Sequence, residues 1–81
     1  MKARVYVTLK SEVLDPQGEA VKRALQSLGF DAVKKARVGK LIELELGDGD
    51  PEERKAQLKS MCEKLLAHAV VEDFAFDLDQ H

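Results

Sequence analysis

The chain has 81 residues, room for one domain, with 44% apolar and 35% charged residues and a formal net charge of −2. A chain this short buries only roughly 60–65% of its unfolded surface, so its stability is thin and docking to another chain adds to it. The charge balance excludes a dedicated nucleic-acid binder, which carries a basic excess, and three Phe, one Tyr and no Trp leave little for base stacking. No apolar run approaches the ~20 residues that span a bilayer. The start shows no signal-peptide core, and the lone Cys62 has no internal disulfide partner. These features point to a cytoplasmic protein.

Residues 3–9 alternate, with Val5, Val7 and Leu9 on one side and Arg4, Tyr6 and Thr8 on the other. That pattern predicts a half-buried strand. Asp15-Pro16 predicts a helix start, because Asp caps free amides and Pro needs no hydrogen bond at the first helical position. Val21, Ala24, Leu25 and Leu28 then make one apolar face, and Gly29 suits a left-handed cap. Residues 32–38 read as a second strand of mixed parity, since Val33, Ala36 and Val38 do not share one face. Gly39-Lys40 reads as a tight hairpin turn. Residues 41–46 read as a cleaner strand, with Ile42, Leu44 and Leu46 inward and Glu43 and Glu45 outward.

Asp50-Pro51 predicts a second helix start, and Glu52 and Glu53 favour the positive end of its dipole. Leu58, Met61, Cys62, Leu65 and Leu66 form the expected apolar stripe. Residues 70–78 close the chain as a strand in which Phe74, Phe76 and Leu78 alternate with Asp73, Ala75 and Asp77. The expected fold class is α+β: one domain over residues 1–81, in β-α-β-β-α-β ferredoxin-like order, an antiparallel sheet with two helices on one face.

No catalytic set emerges from the spacing. Cys62 has no His at ligand spacing and reads as a core thiol. Thr8, Ser11, Ser27 and Ser60 lack a visible His/Asp partner. His68 falls near a helix end and suits its terminal carbonyls, and His81 is expected to be mobile. Gly47-Asp48-Gly49-Asp50 reads as a turn, because its aspartates would repel a phosphate. Lys34, Lys35, Arg37 and Lys40 form a basic cluster, either a protective solvated edge or a docking patch for an acidic surface.

Three strings carry a resemblance. Val13-Leu14-Asp15-Pro16-Gln17-Gly18 precedes the first helix, and Val38-Gly39-Lys40 leads into Ile42-Glu43-Leu44. Met61-Cys62-Glu63-Lys64-Leu65-Leu66-Ala67 is followed by Val70-Val71-Glu72-Asp73-Phe74. In this order and spacing they resemble the PurS family, the small subunit of phosphoribosylformylglycinamidine synthase. One departure is His68-Ala69, where members often carry Asn-Pro; without that proline the second helix has room to run further.

The resemblance implies a place in de novo purine biosynthesis. The parent enzyme converts formylglycinamide ribonucleotide, glutamine and ATP to formylglycinamidine ribonucleotide. It implies a PurQ glutaminase subunit that releases ammonia and a PurL synthetase subunit that uses ATP and Mg. It implies self-association of this chain as a homodimer or tetramer, with no cofactor and no catalytic residue of its own. The matching segments make the candidate partner interface: Asp15, Pro16, Gln17 and Gly18, then Arg37, Gly39 and Lys40, then Glu72 and Asp73. The rival reading is an ACT-like module of the same order that senses a small molecule. An acylphosphatase-like enzyme would need an anion loop after the first strand, which Lys10-Ser11-Glu12-Val13 does not supply.

Overall fold

A computed structural model describes residues 1–79; the expectation for His81 lies outside them. Its element order is β1 (Lys2–Leu9), α1 (Pro16–Ser27), β2 (Lys40–Glu45), α2 (Pro51–Met61), a π-helical turn (Cys62–Leu66) and β3 (Glu72–Asp79). The sheet has three strands in the order β2-β1-β3, both pairings antiparallel.

The alternation in β1 works as its sequence requires. Ala3, Val5 and Val7 are buried, while Arg4 and Tyr6 face out. Val5 sits opposite Ile42 on one side and Phe76 on the other. Helix α2 covers this face with Leu58 and is continued by Cys62 and Ala67, completing a small buried core. Ile42, Leu44, Phe74, Phe76 and Leu78 pack against it only partly buried. One helix is too narrow to cover three strands.

Both helix starts form where the Asp-Pro pairs predict. Asp15 accepts from the Gly18 amide and Asp50 from the Glu52 amide, replacing bonds that the first helical turn lacks. Gly29 ends α1 at φ 98°, a conformation that a side chain resists.

Three expectations are corrected. Residues 32–38 form no strand, so the order is β-α-β-α-β and not the four-stranded ferredoxin-like one. This segment instead returns beside α1, where Gln26 Nε2 donates to the Val33 carbonyl at 2.9 Å. Side-chain bonds to backbone replace a ladder that its mixed parity could not support. Of the two helices, only α2 packs closely on the sheet. Within α1 only Gly18 is buried, and Leu28 is 74% exposed, so α1 and its return stand off the sheet as an arm. Finally, Leu65 leaves the predicted stripe and is 83% exposed. The Ala67 amide reaches back five residues to the Cys62 carbonyl at 3.0 Å, and this wider turn rotates Leu65 outward.

Burial, with Glu63 adding to it, pushes the Cys62 thiol above its ordinary value, so it stays protonated and inert. Leu58 is fully buried. Replacing it by Ala should cost about 3 kcal/mol, a large share of the roughly 4–12 kcal/mol available to a domain of this length. Urea unfolding followed by circular dichroism should show the lowered midpoint.

Candidate functional site

The antiparallel register brings the three singled-out segments to one end of the sheet. The end of β1 lies there with the start of β2 and the start of β3, because Val7 pairs with Lys40 and with Phe74. The first turn of α1 lies above them.

Asp15 is the centre of this end. One carboxylate oxygen accepts from the Gly18 amide at 2.9 Å, and the other from the Val38 amide at 2.8 Å. The side chain is buried, and the Arg37 guanidinium stands 4.0 Å away. The Gly18 and Val38 amides hold the carboxyl below its ordinary value of 3.8, with Arg37 helping and burial opposing. A carboxylate so engaged is no proton acceptor for a substrate.

Arg37 is equally occupied. Its guanidinium donates to the carbonyls of Lys10 at 2.8 Å, Val13 at 3.1 Å and Leu9 at 3.3 Å. It thus ties the loop after β1 to the return segment. Both glycines are close-packed. A Cβ on Gly18 would run into the Ala36 carbonyl and the Asp15 carboxylate, and one on Gly39 would stand 2.6 Å from the Val7 carbonyl. Gly39 therefore serves through space and not through positive φ, and it makes no hairpin turn, since no strand precedes it.

Gln17, Gly39, Lys40 and Glu72 line one shallow cleft of about 240 Å³ with Val7, Leu9 and Val38. Lys40 and Glu72 face each other across it at 3.8 Å. The other Glu72 oxygen accepts from the His68 amide at 2.7 Å, and the Glu72 amide returns a bond to the His68 carbonyl at 2.7 Å. His68 thus serves this corner through its backbone. Pro16 is exposed at the head of α1. Asp73 is not brought into this cleft. It pairs with Thr8 and lines a neighbouring cleft of about 360 Å³ with Lys10, Glu63 and Phe74. Lys10 was missed from sequence, and the carbonyls of Leu9 and Val13 carry no side-chain signal at all.

Among the described residues no three His, Cys, Asp or Glu side chains converge as metal ligands, and no helix is long and apolar enough to cross a membrane. The ionised groups at this end hold chain segments together. Such a fold, with its arm and shallow clefts, defines a small α+β docking protein. A family model described as "PurS: Phosphoribosylformylglycinamidine (FGAM) synthase" matches residues 2–80. A PurS subunit from a Synechocystis species is 48% identical over 75 residues, 93% of this chain and 75% of the relative. The crystal structure of Methanocaldococcus jannaschii PurS superposes with a TM-score of 0.87 at 36% identity, covering 99% of this chain and 96% of the other. A chain of the solved PurLQS from Thermotoga maritima superposes at 0.85 with 37% identity, covering 94% and 93%. The chain belongs to the PurS family, the small subunit of FGAM synthase, a glutamine-dependent ligase complex. The ACT-like reading is set aside by these matches.

The Asp15 knot has a pH signature. Its folded pKa lies below the unfolded value, so its stabilisation is complete above the unfolded pKa and is lost as pH falls toward and through the folded one. Asp15→Asn keeps an acceptor for Gly18 but turns an amide against the Val38 N–H. The variant should unfold at lower urea at pH 7 and lose less between pH 7 and pH 3 than the parent, as paired urea titrations will show.

Proposed function

We propose that the chain bridges a PurQ glutaminase and a PurL synthetase and aids ammonia transfer between them in de novo purine biosynthesis. The carrying observation is the full-length match to PurS, including a chain of the solved PurLQS. The parent complex would use ATP and Mg, this chain would hold neither, and the assembly would work in the cytoplasm. Ammonia transfer requires two active sites held in register with water kept out, a task for a rigid adaptor.

The surface supports that role. Leu14, Leu28 and Phe30 stand exposed on and around the arm, and Leu65 and Val70 beside the π turn. The radius of gyration is 16.1 Å, against about 12 Å for a compact chain of this length. The accessible surface of 5970 Å² exceeds the roughly 4,900 Å² of a compact protein of this mass by on the order of 1,000 Å². One side of a standard interface buries about 800 Å². The chain is shaped to be covered by others, including copies of itself.

The direct test is FGAM synthesis by cognate PurL and PurQ with and without the chain. Glutamine-driven turnover should depend on it far more than ammonia-driven turnover; equal glutamine turnover in its absence would refute bridging. At the cleft, Lys40→Gln should leave the fold within about 1 kcal/mol, because the Lys40 side chain is exposed and Glu72 keeps its bond from the His68 amide. It should weaken capture of PurL or PurQ in a pull-down. Arg37 is unsuited to that experiment, since its guanidinium holds the fold.

A further inference from the structure

Among the described residues β3 pairs with β1 alone, so its far side ends the sheet. The backbone groups left open there follow from the ladder. The Lys10 amide donates to the Val71 carbonyl at 2.9 Å, and bonded and non-bonded pairs alternate along an antiparallel pairing. With Thr8 opposite Asp73, Tyr6 opposite Ala75 and Arg4 opposite Asp77, the odd residues of β3 spend their backbone groups on β1. Glu72, Phe74, Phe76 and Leu78 therefore turn theirs outward. No proline, lysine or bulge stands on this strand, so it lacks those guards of a sheet edge.

The two faces beside this edge differ in chemistry. On the face that α2 covers, Phe74, Phe76 and Leu78 are only half-buried. On the open face Asp73, Ala75, Asp77 and Asp79 are exposed. Among the described residues neither Asp73 nor Asp77 forms an ion pair. The cleft of about 360 Å³ at the head of the strand sets the carboxylates of Glu63, Glu72 and Asp73 against the single ammonium of Lys10.

We propose that the β3 edge takes an extended segment of a partner subunit, one in which apolar and basic residues alternate. The proposal rests on the bridging reading. Side chains alternate between faces along a strand. A strand laid beside β3 therefore sets every second residue next to Phe74, Phe76 and Leu78, and the others next to Asp73 and Asp77. Apolar residues in the first set complete a burial that this chain leaves half done. Lys or Arg in the second set gains opposite-charge pairs across the strands. Main-chain bonds supply affinity and the alternating side chains supply specificity, as in strand addition generally.

The same carboxylates turn away the wrong strands. Antiparallel self-pairing centred on Ala75 sets Asp73 against Asp77, and centred on Phe76 it sets Asp73 against Asp79. Like charges directly opposite are destabilising. An acidic segment of any other protein is refused for the same reason, so charge selects the occupant as well as attracting it.

Amide hydrogen exchange tests this, read residue by residue by mass spectrometry on the chain alone and in complex with cognate PurL and PurQ. The amides of Phe74, Phe76 and Leu78 should exchange readily in the chain alone and about tenfold more slowly or less in the complex. The double variant Asp73→Asn with Asp77→Asn should keep the parent's circular dichroism and bind the partner about tenfold more weakly at low salt, a gap that narrows as salt is raised. Unchanged exchange in a complex that does form would overturn the proposal, and so would a double variant that binds like the parent. Amides already protected in the chain alone would give the edge to a second copy and refute the partner strand. Glutamine-driven turnover that needs the chain while these amides stay open sinks the edge and spares the bridging. Protection with no effect on that turnover does the reverse.

Discussion

The fold turns on the carboxylate of Asp15. One oxygen caps the first turn of α1 through Gly18, and the other holds the returning chain through Val38. These two points lie 20 residues apart in sequence, with the whole arm between them. A single buried group therefore closes the arm at its base, and Arg37 closes it again by binding the carbonyls of Leu9, Lys10 and Val13. Gly18 and Gly39 are needed because backbone presses on backbone at this closure. Without it, nothing in the sheet would fix where α1 points, since α1 buries no apolar side chain of its own.

That arrangement explains how so small a core suffices. The buried hydrophobic core is small: Ala3, Val5 and Val7 from the central strand, Leu58, Cys62 and Ala67 from the covering segment. The hydrophobic stabilisation they supply scales with the apolar area removed from water, and much of this chain's apolar area is still wet. Leu28, Phe30 and Leu65 give back to solvent what a closed domain would bury. On the bridging role proposed above, their burial would come with assembly. The ionised side chains at the sheet end are spent on chain closure for the same reason: a thin core needs its charges as fasteners.

Much of this was legible in the residues. The parity of Val5 and Val7 and of Phe74, Phe76 and Leu78 identified both long strands. The Asp-Pro pairs placed both helix starts, and Gly29 the end of the first. Residues 32–38 were misread because β-branched and basic residues at mixed parity imitate a bulged strand. What decides their path is the bonds of Arg37 to carbonyls more than 20 residues away and the hold of Asp15 on the Val38 amide, and backbone groups leave no mark in a sequence. The wider turn at Cys62 was hidden for a related reason. An ideal helical period assigns Leu65 to the stripe, and the wider turn closed by the Ala67 amide rotates it out. At the candidate site, the grouping of Gln17, Gly39, Lys40 and Glu72 followed from strand register, whereas Asp73 was separated from them by the alternation that sends neighbouring residues to opposite faces.

The misread segment also links the arm to the sheet edge. A hairpin through Gly39 would have laid residues 32–38 beside β2 and satisfied its outward amides. Asp15 and Arg37 draw that segment instead toward the loop that follows the C-terminal end of β1. The closure that builds the arm thus also leaves β2, among the described residues, at the edge of the sheet. Arm and edge are two consequences of one set of bonds, those of Asp15 and Arg37.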